Sequence, residues 1–66
     1  MYQNRMKEIR KEKGITLTKM ADETGISIGY LSHLEKGTRK NPSVEMMDKI
    51  SKCLDKSVSD VFFTKN

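Results

Sequence analysis

Gly14, Gly25 and Gly37 punctuate the sequence at short, nearly even intervals, and each follows a stretch whose apolar residues recur at helical spacing. Glycine adopts the left-handed conformation that closes a helix without the steric cost a Cβ imposes, so this punctuation divides the chain into short helices. Tyr2, Met6 and Ile9 fall at i, i+4 and i+7, with Arg5, Lys7, Lys11 and Lys13 largely outside the stripe, which predicts a first helix from about Gln3 to Lys13. Leu17, Met20, Ala21 and Thr24 mark a second, short helix that Thr16 is placed to cap. Ser27 is placed to cap a third over about Ile28 to Lys36.

Gly37-Thr38-Arg39-Lys40-Asn41-Pro42 reads as a basic loop, in which Pro42 is expected to push Asn41 towards an extended conformation. Ser43 can cap a fourth helix carrying Val44, Met47, Ile50 and Leu54, and Ser57-Val58-Ser59-Asp60 resembles a capping box opening a fifth, with positions 58, 61 and 62 facing inward. No segment sustains strand alternation, and there is no internal repeat. The expected fold is all-α: five short helices in a single domain spanning residues 1–66.

Composition narrows the function. Thirteen Lys and Arg against nine Asp and Glu leave a formal charge of +4, a balance that suits a polyanionic partner. The longest apolar run, Val61-Phe62-Phe63, is far short of the roughly 20 residues of a membrane-spanning helix. The charged first turns offer no apolar signal region, so a cytoplasmic location is expected. One Cys and one His cannot close a four-ligand zinc site, and Ser32 and His33 have no carboxylate placed to complete a triad. No enzyme activity, metal or cofactor is expected. Cys53 reads as a half-buried hydrophobe, Met6, Met20 and Met47 as core filler, and Asp22 and Glu23 as a solvated helix face.

The informative segment is residues 17–36. Two short helices joined by a tight glycine-containing turn form a helix-turn-helix unit, whose second helix enters the DNA major groove. Ala21 is small where the helices would touch, Gly25 leaves the turn free of a side chain, and Ile26, Leu31 and Leu34 supply apolar packing. At about 100° per residue, Ile28, Gly29, Ser32, His33 and Lys36 share an arc of roughly 140° facing away from Leu31 and Leu34. That arc carries no acid, and Glu35 falls on the core side. Arg39 and Lys40 follow directly, where they would meet flanking phosphates.

The strings Gly14-Ile15-Thr16-Leu17-Thr18-Lys19-Met20-Ala21, Thr24-Gly25-Ile26-Ser27 and Tyr30-Leu31-Ser32-His33-Leu34-Glu35-Lys36-Gly37 resemble the helix-turn-helix of Cro/cI-type (XRE-type) transcriptional repressors. Asn41-Pro42-Ser43 and Leu54-Asp55-Lys56-Ser57-Val58 are similar to stretches of the Sin-type branch, so the resemblance runs from about Met6 to Phe62. It implies a lambda-repressor-like DNA-binding domain. Base-facing positions are then Ile28, Gly29 and His33, with Ser32 on the same arc. Phosphate-facing positions are Thr16, Thr18, Ser27, Tyr30, Lys40 and Asn41, with Lys36 and Arg39 added. Many relatives begin the second helix with glutamine; Leu17 stands there, so the hydroxyls of Thr16 and Thr18 and the free amides of that helix are expected to take over the contact. The resemblance also implies an ion pair between Arg10 and Glu35.

The function expected is a sequence-specific DNA-binding regulator, a repressor occupying an inverted-repeat operator as a homodimer. Two-fold dimers place reading helices about one DNA turn apart, roughly 34 to 36 Å. Met46, Val58 and Phe63 are the expected dimer surface. The competing reading is a helical protein-interaction module, an antitoxin or anti-repressor partner, and a regulatory protein partner is compatible with either.

Overall fold

The computed structural model describes residues 4–39 and 41–63. Among them the chain forms five helices and no strand: α1 (Met6–Glu12), α2 (Leu17–Thr24), α3 (Ile28–Lys36), α4 (Val44–Cys53) and α5 (Val58–Phe62). Helix α2 packs against α3 and α4, α4 against α5, and α5 against α1. Met6, Ile9, Met20, Leu31, Leu34, Ile50, Leu54 and Val61 are fully excluded from solvent and form one core, closed by Ile26 and Phe62. Every helix contributes to it, so no helix is stable apart from the rest.

Four helices begin on a hydroxyl residue whose side chain accepts a first-turn amide. Thr16 Oγ1 accepts from Lys19 N at 3.0 Å, Ser27 Oγ from Tyr30 N at 3.2 Å, Ser43 Oγ from Met46 N at 3.1 Å and Ser57 Oγ from Asp60 N at 3.0 Å. Each cap satisfies a donor that the helix itself leaves orphaned, worth about 1 kcal/mol. Gly25 (φ 74°) and Gly37 (φ 82°) close α2 and α3 in the left-handed conformation.

Helix α1 starts at Met6, later than the spacing predicts; Tyr2 and Gln3 lie outside the described residues. Its start is set by tertiary contacts. Asn4 Oδ1 accepts from Met6 N at 3.0 Å while Asn4 Nδ2 donates to Leu34 O, also at 3.0 Å, and Arg5 N donates to Val61 O at 2.8 Å. An asparagine side chain that takes the amide ahead of the first turn competes with helix there. Asn41 is also not extended as expected: its φ is 57°, a left-handed value that asparagine tolerates better than most side chains. Asp55 (φ 56°) makes the equivalent turn between α4 and α5 without glycine.

Candidate nucleic-acid interface

The α2–α3 turn is fixed by a threonine as well as by Gly25. Thr24, buried, donates through Oγ1 to Met20 O at 2.7 Å and accepts there from Ile26 N at 3.2 Å. Ile26 is thereby drawn into the core and Ser27 is set at the mouth of α3. Helix α3 then has two sides. Leu31 and Leu34 are fully buried, whereas Ile28 is 47% exposed and Gly29, His33 and Lys36 are exposed; Ser32 is half-buried. These five residues lie on one outward arc.

Gly29 is informative. It has no positive φ, and a Cβ built there would meet nothing within 4 Å. A glycine inside a helix costs up to about 1 kcal/mol relative to alanine. Among the described residues nothing requires it, and the space over this point of α3 is open.

The only acid on α3 is turned away and neutralised. Arg10 Nε donates to Glu35 Oε2 at 2.7 Å and Arg10 Nη2 to Glu35 Oε1 at 3.2 Å, a two-pronged pair with the side chains only 13% and 5% exposed. Arg10 Nη1 also donates to Ile15 O at 3.0 Å. One guanidinium therefore ties α1, the α1–α2 turn and the end of α3 together.

The phosphate-facing residues named from the sequence surround this arc in part. Thr16 and Thr18 are exposed at the start of α2, where Thr16 Oγ1 is engaged as the cap and Leu17 packs partly against the core. Ser27 is exposed at the start of α3. Tyr30 is half-buried, and the Arg39 guanidinium carbon sits 5.3 Å from the centre of its ring, a stacking that holds an exposed cation beside α3. Asn41 is exposed; Lys40 lies outside the described residues. A cleft of about 370 Å³ runs between the α2–α3 turn and the start of α4, and Ser27, Tyr30, Ser43 and Met46 are among the residues that line it.

The residues named for a dimer surface are less alike than the sequence implies. Phe63 is 62% exposed, but Met46 and Val58 are half-buried and pack on the core. Val44, which its spacing puts on the apolar stripe of α4, is 77% exposed, because that stripe extends beyond the core at the first turn of the helix. Cys53 is half-buried and donates to Glu23 Oε1 at 3.2 Å. Burial foremost, then this bond, pushes its thiol up to about 11. Among the described residues no acidic, His or Cys cluster suits a metal ion, and no helix is long and apolar enough to cross a membrane.

Such a fold, with an exposed second helix set by a capped turn, defines a helix-turn-helix protein. Residues 6–61 match the helix-turn-helix family, and the chain belongs to its XRE-type members. Over all 66 residues it is 38% identical to the transcriptional regulator SinR of Bacillus subtilis (strain 168), and it spans 60% of that relative's length. The solved structure of SinR, the master regulator for biofilm formation, in complex with DNA superposes with a TM-score of 0.77 at 42% identity, over 82% of this chain and 86% of that one. The SinR–SinI protein complex superposes with a TM-score of 0.78 at 42% identity, over 83% of this chain and 53% of the other.

Proposed function

We propose that the chain is a single DNA-binding domain over residues 1–66 that recognises a specific duplex sequence and regulates transcription, acting as a repressor by occupying an inverted-repeat operator as a homodimer. The observation that carries this reading is the outward arc of α3: exposed, acid-free, and cleared by a glycine that internal packing does not need. Ile28 offers apolar contact to a thymine methyl, Gly29 lets the helix backbone approach, and Ser32 and His33 supply hydrogen bonds to base edges. Thr16, Thr18, Ser27, Tyr30, Lys36, Arg39, Lys40 and Asn41 hold phosphates around it. With few side chains able to read bases directly, duplex shape contributes to recognition. The solved complex of SinR with DNA supports this use of the fold.

One such helix is short, so two copies on one duplex supply the affinity of a specific site. Phe63 is the exposed apolar residue at the end of α5 on which that pairing rests, and the protein works in the cytoplasm, where its operator is. A regulatory protein partner is favoured by one observation, the solved complex of the relative SinR with SinI.

Selection of bound duplexes from a random pool at physiological salt tests the reading. An enriched inverted repeat with half-site centres about one turn apart is the expected result. Enrichment of no sequence would overturn the operator reading, and retention of no duplex would overturn DNA binding itself.

A further inference from the structure

Helix α1 distributes its charges differently from α2 and α4. On those two helices exposed cations sit four residues from acids and pair with them: Lys19 Nζ with Glu23 at 3.7 Å, Lys49 Nζ with Glu45 at 3.6 Å and Lys52 Nζ with Asp48 at 3.2 Å. On α1 the same spacing joins like to like, Lys7 to Lys11 and Glu8 to Glu12. Like charges at this spacing weaken a helix, so local stability does not explain the pattern.

The two kinds of charge also lie on different edges of α1. At about 100° per residue, with Met6 and Ile9 marking the buried side, Arg10, Lys7 and Lys11 turn away from it in one direction and Glu8 and Glu12 in the other. Tertiary contacts orient both edges. The acid edge lies towards α5, where Glu8 foremost, then Glu12 and Asp60, raise the Arg5 guanidinium. The basic edge lies towards the end of α3, because Arg10 on that edge donates to Glu35 and to Ile15 O. Lys36 follows Glu35, and Thr16, the cap of α2, follows Ile15. Lys7 and Lys11 are exposed and pair with no acid among the described residues. They therefore extend, as free positive charge, the surface made by the start of α2 and the end of α3.

We propose that the Lys7–Lys11 edge of α1 is a further backbone-binding surface for the same duplex, meeting phosphates that flank the stretch read by α3 and adding affinity without base contacts. The inference rests on the DNA-binding role proposed above. A lysine is a point charge on a flexible stem, so it follows a phosphate whose position shifts with sequence, and each phosphate it neutralises releases counterions. Turning Glu8 and Glu12 towards α5 keeps carboxylates off that approach. Two lysines would also suit an acidic protein, but continuity with the phosphate-facing residues of α2 and α3 favours the duplex.

The test measures binding of a selected duplex against salt for the unmodified chain, for Lys7→Gln combined with Lys11→Gln, and for Lys56→Gln. Lys56 is an exposed cation between α4 and α5 that also pairs with no acid among the described residues, and it serves as the control for net charge. The double variant should lower the slope of log affinity against log salt by about 2 per bound chain, so that the unmodified chain loses about tenfold more affinity between about 50 and 200 mM salt. It should select the same sequence, lose hydroxyl-radical protection only outside the read stretch, and melt no lower, since a like-charge pair is removed. Lys56→Gln should leave the slope unchanged. An unchanged slope in the double variant overturns the proposal and leaves the edge to another partner. A drop of about 1 in Lys56→Gln overturns it too, by making the effect one of net charge, as does a changed consensus in the double variant. Those failures leave DNA binding standing, whereas retention of no duplex by the unmodified chain removes the reading on which the proposal rests.

Discussion

Arg10 and Glu35 lie 25 residues apart in sequence, and their side chains meet through two hydrogen bonds in a nearly solvent-free position. Removing one partner of such a pair leaves the other charge uncompensated, at a cost of about 3 kcal/mol or more, although the intact pair adds little net stability. Glu35→Ala should therefore lower the melting temperature by many degrees and weaken duplex binding with it, because α3 loses its brace to α1. A melting curve that coincides with that of the unmodified chain would count against the brace.

Gly29→Ala separates stability from function. The added methyl meets open space and removes glycine's helix penalty, so unfolding in urea should require up to about 1 kcal/mol more. The same methyl stands where a duplex would approach the helix, and affinity should fall. Tighter or equal binding by the stabilised variant would remove the argument that this glycine serves an external partner.

Ser51 is the one buried polar group among the described residues whose side chain lacks a partner. Burying an unpaired hydroxyl costs about 1 to 3 kcal/mol, so Ser51→Ala should stabilise the domain by about 1 kcal/mol, with duplex affinity unchanged. Chemical denaturation reads the difference, and destabilisation would mean that the hydroxyl is satisfied in solution.

Cys53 should be a slow nucleophile. Burial raises its thiol to about 11, so the thiolate is scarce at neutral pH and alkylation should accelerate steadily as pH rises towards that value. Labelling with iodoacetamide as fast as a free thiol at pH 8 would contradict the burial of this side chain.

Arg39 and Lys40 are expected to act on the phosphates rather than the bases. Replacing each with glutamine should reduce the slope of log affinity against log salt by about 1 and leave the preferred sequence as it was. A changed consensus with an unchanged slope would assign them to base reading instead.

Much of this fold is written in local signals. Thr16, Ser27, Ser43 and Ser57 announce helix starts because a short hydroxyl side chain competes for the first-turn amides, and Gly25 and Gly37 announce ends because only glycine turns left without strain. The outward arc of α3 follows from angular spacing once Leu31 and Leu34 are assigned inward. What the sequence hid depends on residues far apart or on backbone that breaks a rule. The late start of α1 comes from Asn4 reaching Leu34 O, and the bond from Cys53 to Glu23 joins α4 to α2. Asn41 and Asp55 turn left-handed where glycine would have been the visible signal. The bond from Thr38 Oγ1 to the His33 carbonyl exists only because the turn after Gly37 folds back over the end of α3. Val44 follows the apolar period and still faces solvent, since periodicity gives a direction but not the edge of the core.

The central claim is that the exposed side of α3 is what meets DNA. Mapping backbone amide shifts by NMR while a selected duplex is titrated in tests it most directly. The account predicts that the largest changes fall on Ile28 to His33 and on the first turn of α2, with Val44 and Phe63 unaffected by the first contact. Shifts centred on Val44 or Phe63, with α3 silent, would contradict it.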